Sequence, residues 1–93
     1  MSTGDCPTIC IPCVSKSISQ NYIFDCFNKL KLGNIKKINF INTSLGFKKV
    51  FIVFNTWFSG ERELEYKKKL MNNETLYVEY NSGVWKCKNA IFV

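Results

Sequence analysis

The chain contains no histidine, two prolines, one alanine and a single arginine. The missing histidine removes the commonest general base and the commonest metal ligand together. Neither a glycine-rich phosphate loop nor a nucleophile motif occurs, so catalysis has no visible machinery and the chain reads as a non-enzyme. No apolar run approaches the ~20 residues that cross a bilayer, because charged or amide side chains interrupt every segment. The opening "MSTGDCPTIC" lacks a basic region followed by a long apolar stretch, so neither secretion nor a membrane partner is expected.

Cysteine is present but in odd number, five, which does not complete a disulfide framework. Reduced thiols in an intracellular compartment are expected. Three of them stand in "CPTICIPC" (residues 6–13) at the spacing C-x3-C-x2-C, which also anchors the iron–sulfur cluster of radical enzymes that use S-adenosylmethionine. If residues 8–14 form a strand, Cys6 and Cys13 lie more than about 20 Å apart along extended chain, and Cys10 and Cys13 point to opposite faces. One cluster cannot reach all three. A zinc site that added Cys26 or Cys87 would have no histidine and no paired C-x2-C knuckle. The cysteines are therefore read as free thiols, Cys26 in the core, with no metal and no cofactor.

What is present is a composition suited to one globular domain spanning residues 1–93. Hydrophobic residues make up 46% and aromatics 15%, against 22% charged. Thirteen Lys and Arg against seven Asp and Glu leave a net charge of +6, which favours polyanionic partners such as RNA or DNA. Twelve of the thirteen basic residues are lysine, and Asn, Ile and Phe are abundant. Such usage also fits AT-rich codons, which raise lysine without any ligand.

Patterning divides the chain into a flexible N-terminus (1–7), a core (8–82) and a C-terminal arm or hairpin (83–93). "TICIPCV" (8–14) predicts a buried strand ended by Pro12, with Ile9 and Ile11 on one face and Cys10 on the other. "SISQNYIFDCFNKLKLG" (17–33) predicts a helix capped by Ser19 and ended by a left-handed Gly33, with Ile23, Phe27 and Leu30 as its buried stripe. "NIKKINFINT" (34–43) alternates, placing Ile38 and Phe40 opposite Lys37 and Asn39. In "FKKVFIVF" (47–54), Val50, Ile52 and Phe54 form one face and Phe47, Lys49, Phe51 and Val53 the other. Ser59 is expected to cap a second helix over "GERELEYKKKLMNN" (60–73), with Leu64, Tyr66, Leu70 and Met71 as its apolar contacts. "TLYVEY" (75–80) predicts a strand with Leu76, Val78 and Tyr80 inward. The order β-α-β-β-α-β predicts an α+β, ferredoxin-like split βαβ sandwich: a four-stranded antiparallel sheet with two helices on one face and a C-terminal extension.

In topology and length the chain resembles the RNA recognition motif over roughly residues 8–82. The family's first-strand hexamer is matched by "ICIPCV" (9–14), with Cys10 at the aromatic position. The family's third-strand octamer is matched in its second half by "FKKVFIVF" (47–54), where Phe51 falls on a base-stacking position and Lys49 replaces another. The chain also resembles short proteins of this type from nucleocytoplasmic large DNA viruses, through "IPCV" (11–14), "IFDCFNKLKLGNIKKI" (23–38) and "YNSGVWKC" (80–87). That resemblance implies a giant-virus setting: host cytoplasm, viral factory or virion.

The resemblance and the pattern converge on the open sheet face. The candidate nucleic-acid-binding residues are Phe51, Lys49, Phe47, Lys37, Cys10, Tyr77, Trp85 and Lys86, with Lys88 in the same tail. Aromatics interleaved with lysines offer stacking platforms and phosphate partners for single-stranded RNA or DNA. Two readings of this face stand side by side. In the first it binds nucleic acid weakly. In the second it, or an edge strand, docks a protein partner or a second copy, as an interaction or virion-structural module; alternatively the tail closes the face by laying Trp85 or Phe92 over Phe51.

Overall fold

The computed structural model of the protein describes residues 6–43, 46–81 and 83–92. Its elements are β1 (Ile9–Ser15), α1 (Gln20–Leu30), β2 (Gly33–Asn42), β3 (Phe47–Trp57), α2 (Glu61–Met71), β4 (Leu76–Tyr80) and β5 (Gly83–Asn89), followed by a short 3-10 turn at Ala90–Phe92. Every strand pairing is antiparallel, in the order β2-β3-β1-β5-β4. The chain is thus an α+β domain, with both helices packed on one face of a five-stranded sheet.

Strand count and order depart from the sequence-based expectation. Residues 83–89, expected as a C-terminal arm or hairpin, form a hairpin with β4 and lie inside the sheet beside β1, the place a four-stranded sandwich gives to residues 75–80. The reason is local. Tyr80 pairs with Gly83, so only two residues connect β4 to β5, and a connection that short folds the chain straight back. Gly83 sits at φ +152°, a conformation glycine adopts most readily. Of the flexible N-terminus expected over 1–7, residues 1–5 lie outside the described residues. Cys6 is half-buried against the core and Pro7 is buried.

Pro12 does not end β1. The pairing of β1 with β3 shifts register between Ile11 and Val14, a bulge around the residue that has no N–H to give the ladder. Pairing with β5 is confined to Ile9 with Asn89 and Cys10 with Lys88, ahead of that proline.

The core fills the space between the sheet and the helices. Ile9 and Ile11 of β1, Ile38 of β2, Val50, Ile52 and Phe54 of β3, and Leu76 and Val78 of β4 meet Ile23 and Phe27 of α1 and Leu70 of α2. Each such side chain contributes about 1.5–3 kcal/mol on leaving water. Ser19 caps α1 as the sequence predicts, its Oγ accepting from the Tyr22 N–H at 3.1 Å. The left-handed residue that ends α1 is Lys31, at φ +55°, and not Gly33. Gly33 has a different task. A Cβ there would meet the Thr56 carbonyl oxygen of β3 at 2.1 Å, so only glycine lets the two backbones approach.

Helix α2 is capped by Gly60 without a side-chain hydrogen bond, so Ser59 is not its cap. Its buried contacts are Leu70 and, in part, Tyr66, whereas Leu64 and Met71 are exposed. Its start is tied down instead by its neighbours: the Trp57 indole N–H donates to the Glu63 carbonyl at 2.6 Å, and Arg62 donates to the Leu30 carbonyl at the end of α1. Of the adjacent rings Trp57 and Phe58, the first packs on the core and the second is exposed.

Candidate nucleic-acid interface

Alternation along the strands decides which side chains reach the face opposite the helices. On β3, Lys48, Val50, Ile52 and Phe54 are buried while Phe47, Lys49, Phe51 and Val53 are half-buried, as a strand with one covered side requires. Register then fixes the neighbours. Lys37 lies opposite Val53, Asn39 opposite Phe51 and Ile41 opposite Lys49, while Cys10 lies between Phe51 on one side and Lys88 on the other. Farther along the sheet Tyr77 is paired with Lys86, and Glu79 with Val84. Directly paired residues stand with Cβ atoms about 4.5–5.5 Å apart, so these rows are continuous surfaces.

Six of the eight residues expected at the site therefore share this accessible face: Lys37, Phe47, Lys49, Phe51, Tyr77 and Lys86. Tyr77 is 66% exposed. Cys10 points to the same side but is fully buried, since its short side chain sits in a middle strand between Phe51 and Lys88. It offers no contact surface. Burial pushes the Cys10 thiol above its ordinary pKa, and the nearby Lys49 charge pulls it partway back.

Trp85 belongs to the opposite face. Neighbouring residues of a strand cannot share a side, and with Lys86 outward Trp85 turns toward the helices. It is 2% exposed, stacked on Tyr80 at 4.2 Å and on Phe27 at 6.1 Å between centroids, with Tyr22 edge-on at 6.2 Å. Its indole N–H is buried without a partner among the described residues. The open face is consequently not sealed by Trp85, and the side chain of Phe92 is not among the described residues.

Of the two adjacent lysines in "FKK", only Lys49 faces outward. Lys48 runs inward, where its Nζ donates to the Ile18 carbonyl at 2.7 Å and lies 4.0 Å from the centroid of the Phe40 ring. That cation satisfies the end of the core and is closed to a ligand.

Among the described residues the outward positions fixed by strand pairing carry Lys37, Lys49, Lys86 and Lys88 against one glutamate, Glu79. Glu79 and Ile41 were missing from the sequence-based site, although the parity that placed Tyr77 and Lys37 there also places them; Val84 joins them through its pairing with Glu79. Cys87, on the covered face, is held far above the usual thiol range by burial, with Cys10 adding to the effect. Cys6 is half-buried and Cys13 exposed, and no group of three or more acidic or cysteine residues that would hold a metal ion occurs among the described residues. No described helix is long and apolar enough to cross a membrane.

No protein-family model, no curated protein and no solved structure matches the chain.

Proposed function

We propose that the protein is a small non-catalytic module that binds single-stranded RNA or DNA through the open face of its sheet. The observation that carries this reading is the juxtaposition of half-exposed Phe47 and Phe51 with four lysines against one glutamate on a single surface. Flat rings accept any base by stacking, and ammonium groups around them neutralise the backbone phosphates. Phe51 is the central platform, with Asn39 and Cys10 on its flanks. Tyr77, beside Lys86, is a second platform nearer the edge. Lys37, Lys49, Lys86 and Lys88 take the phosphates. The affinity is modest, because the central row holds one ring and the position beside it is a cysteine.

The finer fold reading, a ferredoxin-like sandwich akin to the RNA recognition motif, is part of this proposal. It is supported if β5 is counted as the last strand of the split βαβ sandwich and β4 as an added edge strand. The remaining order, β5-β1-β3-β2, with β1 antiparallel to both neighbours, is then the one that fold has. The viral setting proposed from "IFDCFNKLKLGNIKKI" belongs to the same reading.

A labelled single-stranded oligonucleotide titrated at two salt concentrations tests it. Affinity is expected to fall steeply with salt, and Phe51→Ala is expected to weaken it by about 1–3 kcal/mol while Lys67→Ala on α2 leaves it nearly unchanged. Equal losses from the two variants reject the mechanism.

A further inference from the structure

The sheet ends in two edges that are protected very differently. At one end β2 is interrupted by register shifts on both sides of Ile35 and carries exposed Lys36 and Lys37. Bulges and lysines are the devices that keep a sheet edge from pairing with another chain. At the other end β4 pairs, among the described residues, only with β5, in unbroken register from Leu76 to Tyr80, and has neither proline nor lysine. In antiparallel pairing alternate residues direct their N–H and C=O groups at the neighbour, so the intervening residues of β4 present theirs to the free side.

The region behind this edge is also incompletely filled. A hollow of about 380 Å³ lies between β4 and the flank of α1 formed by Tyr22, Asp25, Cys26, Lys29 and Leu30. Through Leu30 and Val78 it adjoins a second hollow, of about 210 Å³, that reaches Tyr66 and Lys69 of α2. The apolar floor formed by the covered side of β4 therefore stops at an open border.

We propose that β4 is a dimerisation edge, and that its occupant is β4 of a second copy of this chain, paired antiparallel about Val78. The strand "LYVEY" is self-complementary in that register. Leu76 stands opposite Tyr80 of the second copy, Val78 opposite Val78, and Tyr77 opposite Glu79, so apolar residues meet on the covered side and no like charges meet on the open side. A two-fold axis normal to the sheet keeps the helices of both copies on one side and extends the floor of the hollows with Leu76, Val78 and Tyr80 of the second copy. The lysine-poor character of this edge matters in a chain of net charge +6, because self-association anywhere along the lysine rows would bring like charges together. Pairing also stops at two, since the shifted register and lysines of β2 prevent an edge-to-edge chain. The resulting ten-stranded sheet joins two open faces into one surface. The dimer itself does not depend on whether that surface binds nucleic acid.

Light scattering over a dilution series tests the proposal without nucleic acid. A mass of twice 10.8 kDa at high concentration, falling to 10.8 kDa on dilution, is the expected result. Tyr77 is well exposed, so substitutions there leave the core intact. Tyr77→Glu sets carboxylates opposite each other at two symmetric places and is expected to weaken the dimer about tenfold. Tyr77→Lys sets an amine opposite Glu79 at the same places and is expected to retain or tighten it. Amide exchange within β4, but not within β2, should slow as protein concentration rises. A monomer at every concentration overturns the proposal, as does a dimer indifferent to both substitutions. So does a monomer whose β4 amides slow only when a foreign extended peptide is added.

Discussion

Along β3, Val50, Ile52 and Phe54 alternate with Phe47, Lys49, Phe51 and Val53, and the two sets live in different solvents. The first set is sealed beneath the helices. The second remains half-open, although its aromatic content is higher. On the covered side residue type follows from packing: a ring such as Phe54 has Trp57 edge-on at 5.0 Å, and Phe27 has Trp85 stacked on it. On the open side Phe51 flanks buried Cys10 but is itself only half-buried, so packing constrains it less than it constrains Phe54. Under the proposed function, large rings kept half in water beside lysines serve a ligand, whereas the same rings on the other side serve stability.

The largest effect expected from this contrast is on the covered face. Trp85→Ala removes a ring stacked between Phe27 and Tyr80 and should destabilise the fold by about 3–5 kcal/mol in chemical denaturation. The variant's remaining folded fraction should bind oligonucleotide as the parent does. If binding is lost while stability is kept, the two faces have been wrongly separated.

Gly33→Ala acts on the sheet that both faces share. The added Cβ pushes on the Thr56 carbonyl, and a loss of about 1–3 kcal/mol is expected in the same assay. Phe51→Ala reverses the pattern set by Trp85: about 1–3 kcal/mol of oligonucleotide affinity is lost, with a smaller change in stability because that ring is only half-buried.

Two buried thiols sharpen the comparison by pH. Burial raises Cys10 and Cys87 above the ordinary thiol value of 9.0. In the unfolded chain they ionise near that value, whereas in the folded protein they hold their protons to higher pH. Their contribution to stability is thus complete below about pH 9 and declines as pH rises above it. A denaturation series from neutral to alkaline pH should show this decline, and Cys87→Ala, which removes one of the two thiols and leaves Cys10, should make it shallower. At neutral pH exposed Cys13 should react with a thiol reagent long before either buried cysteine does.

The smallest expected effect concerns the two helix starts. Ser19→Ala removes the cap of α1 and should lower stability by about 1 kcal/mol, whereas Ser59→Ala should leave it unchanged. A substantial loss from Ser59→Ala would mean that α2 starts differently.

Much of this was legible in the sequence because strand parity is a local rule. The alternation of β2, β3 and β4 placed Ile38, Phe40, Val50, Ile52, Phe54, Leu76 and Val78 inward and Lys37, Phe51 and Tyr77 outward without knowledge of the sheet order. Ser19 and its helix were legible for the same reason. Trp85 was misplaced because residues 83–93, read as an arm or hairpin, had no assigned place in the sheet and so no parity. Once they form a strand, Lys86 outward forces Trp85 inward. Strand order was not legible, because whether β4 or β5 sits beside β1 depends on pairing between residues far apart in the chain. Gly33 was misread because its close contact with Thr56 is a tertiary fact, and Lys31 supplied the left-handed turn instead. Burial of Cys10 likewise depends on Phe51 and Lys88 flanking it from other strands.

The most direct test of the central claim is to follow backbone amide NMR shifts while an unlabelled single-stranded oligonucleotide is added. The account predicts changes concentrated at Lys37, Lys49, Phe51, Tyr77 and Lys86, weakening as salt is raised, with α2 silent. Shifts centred on α2, or a spectrum that does not change at low salt, would contradict it.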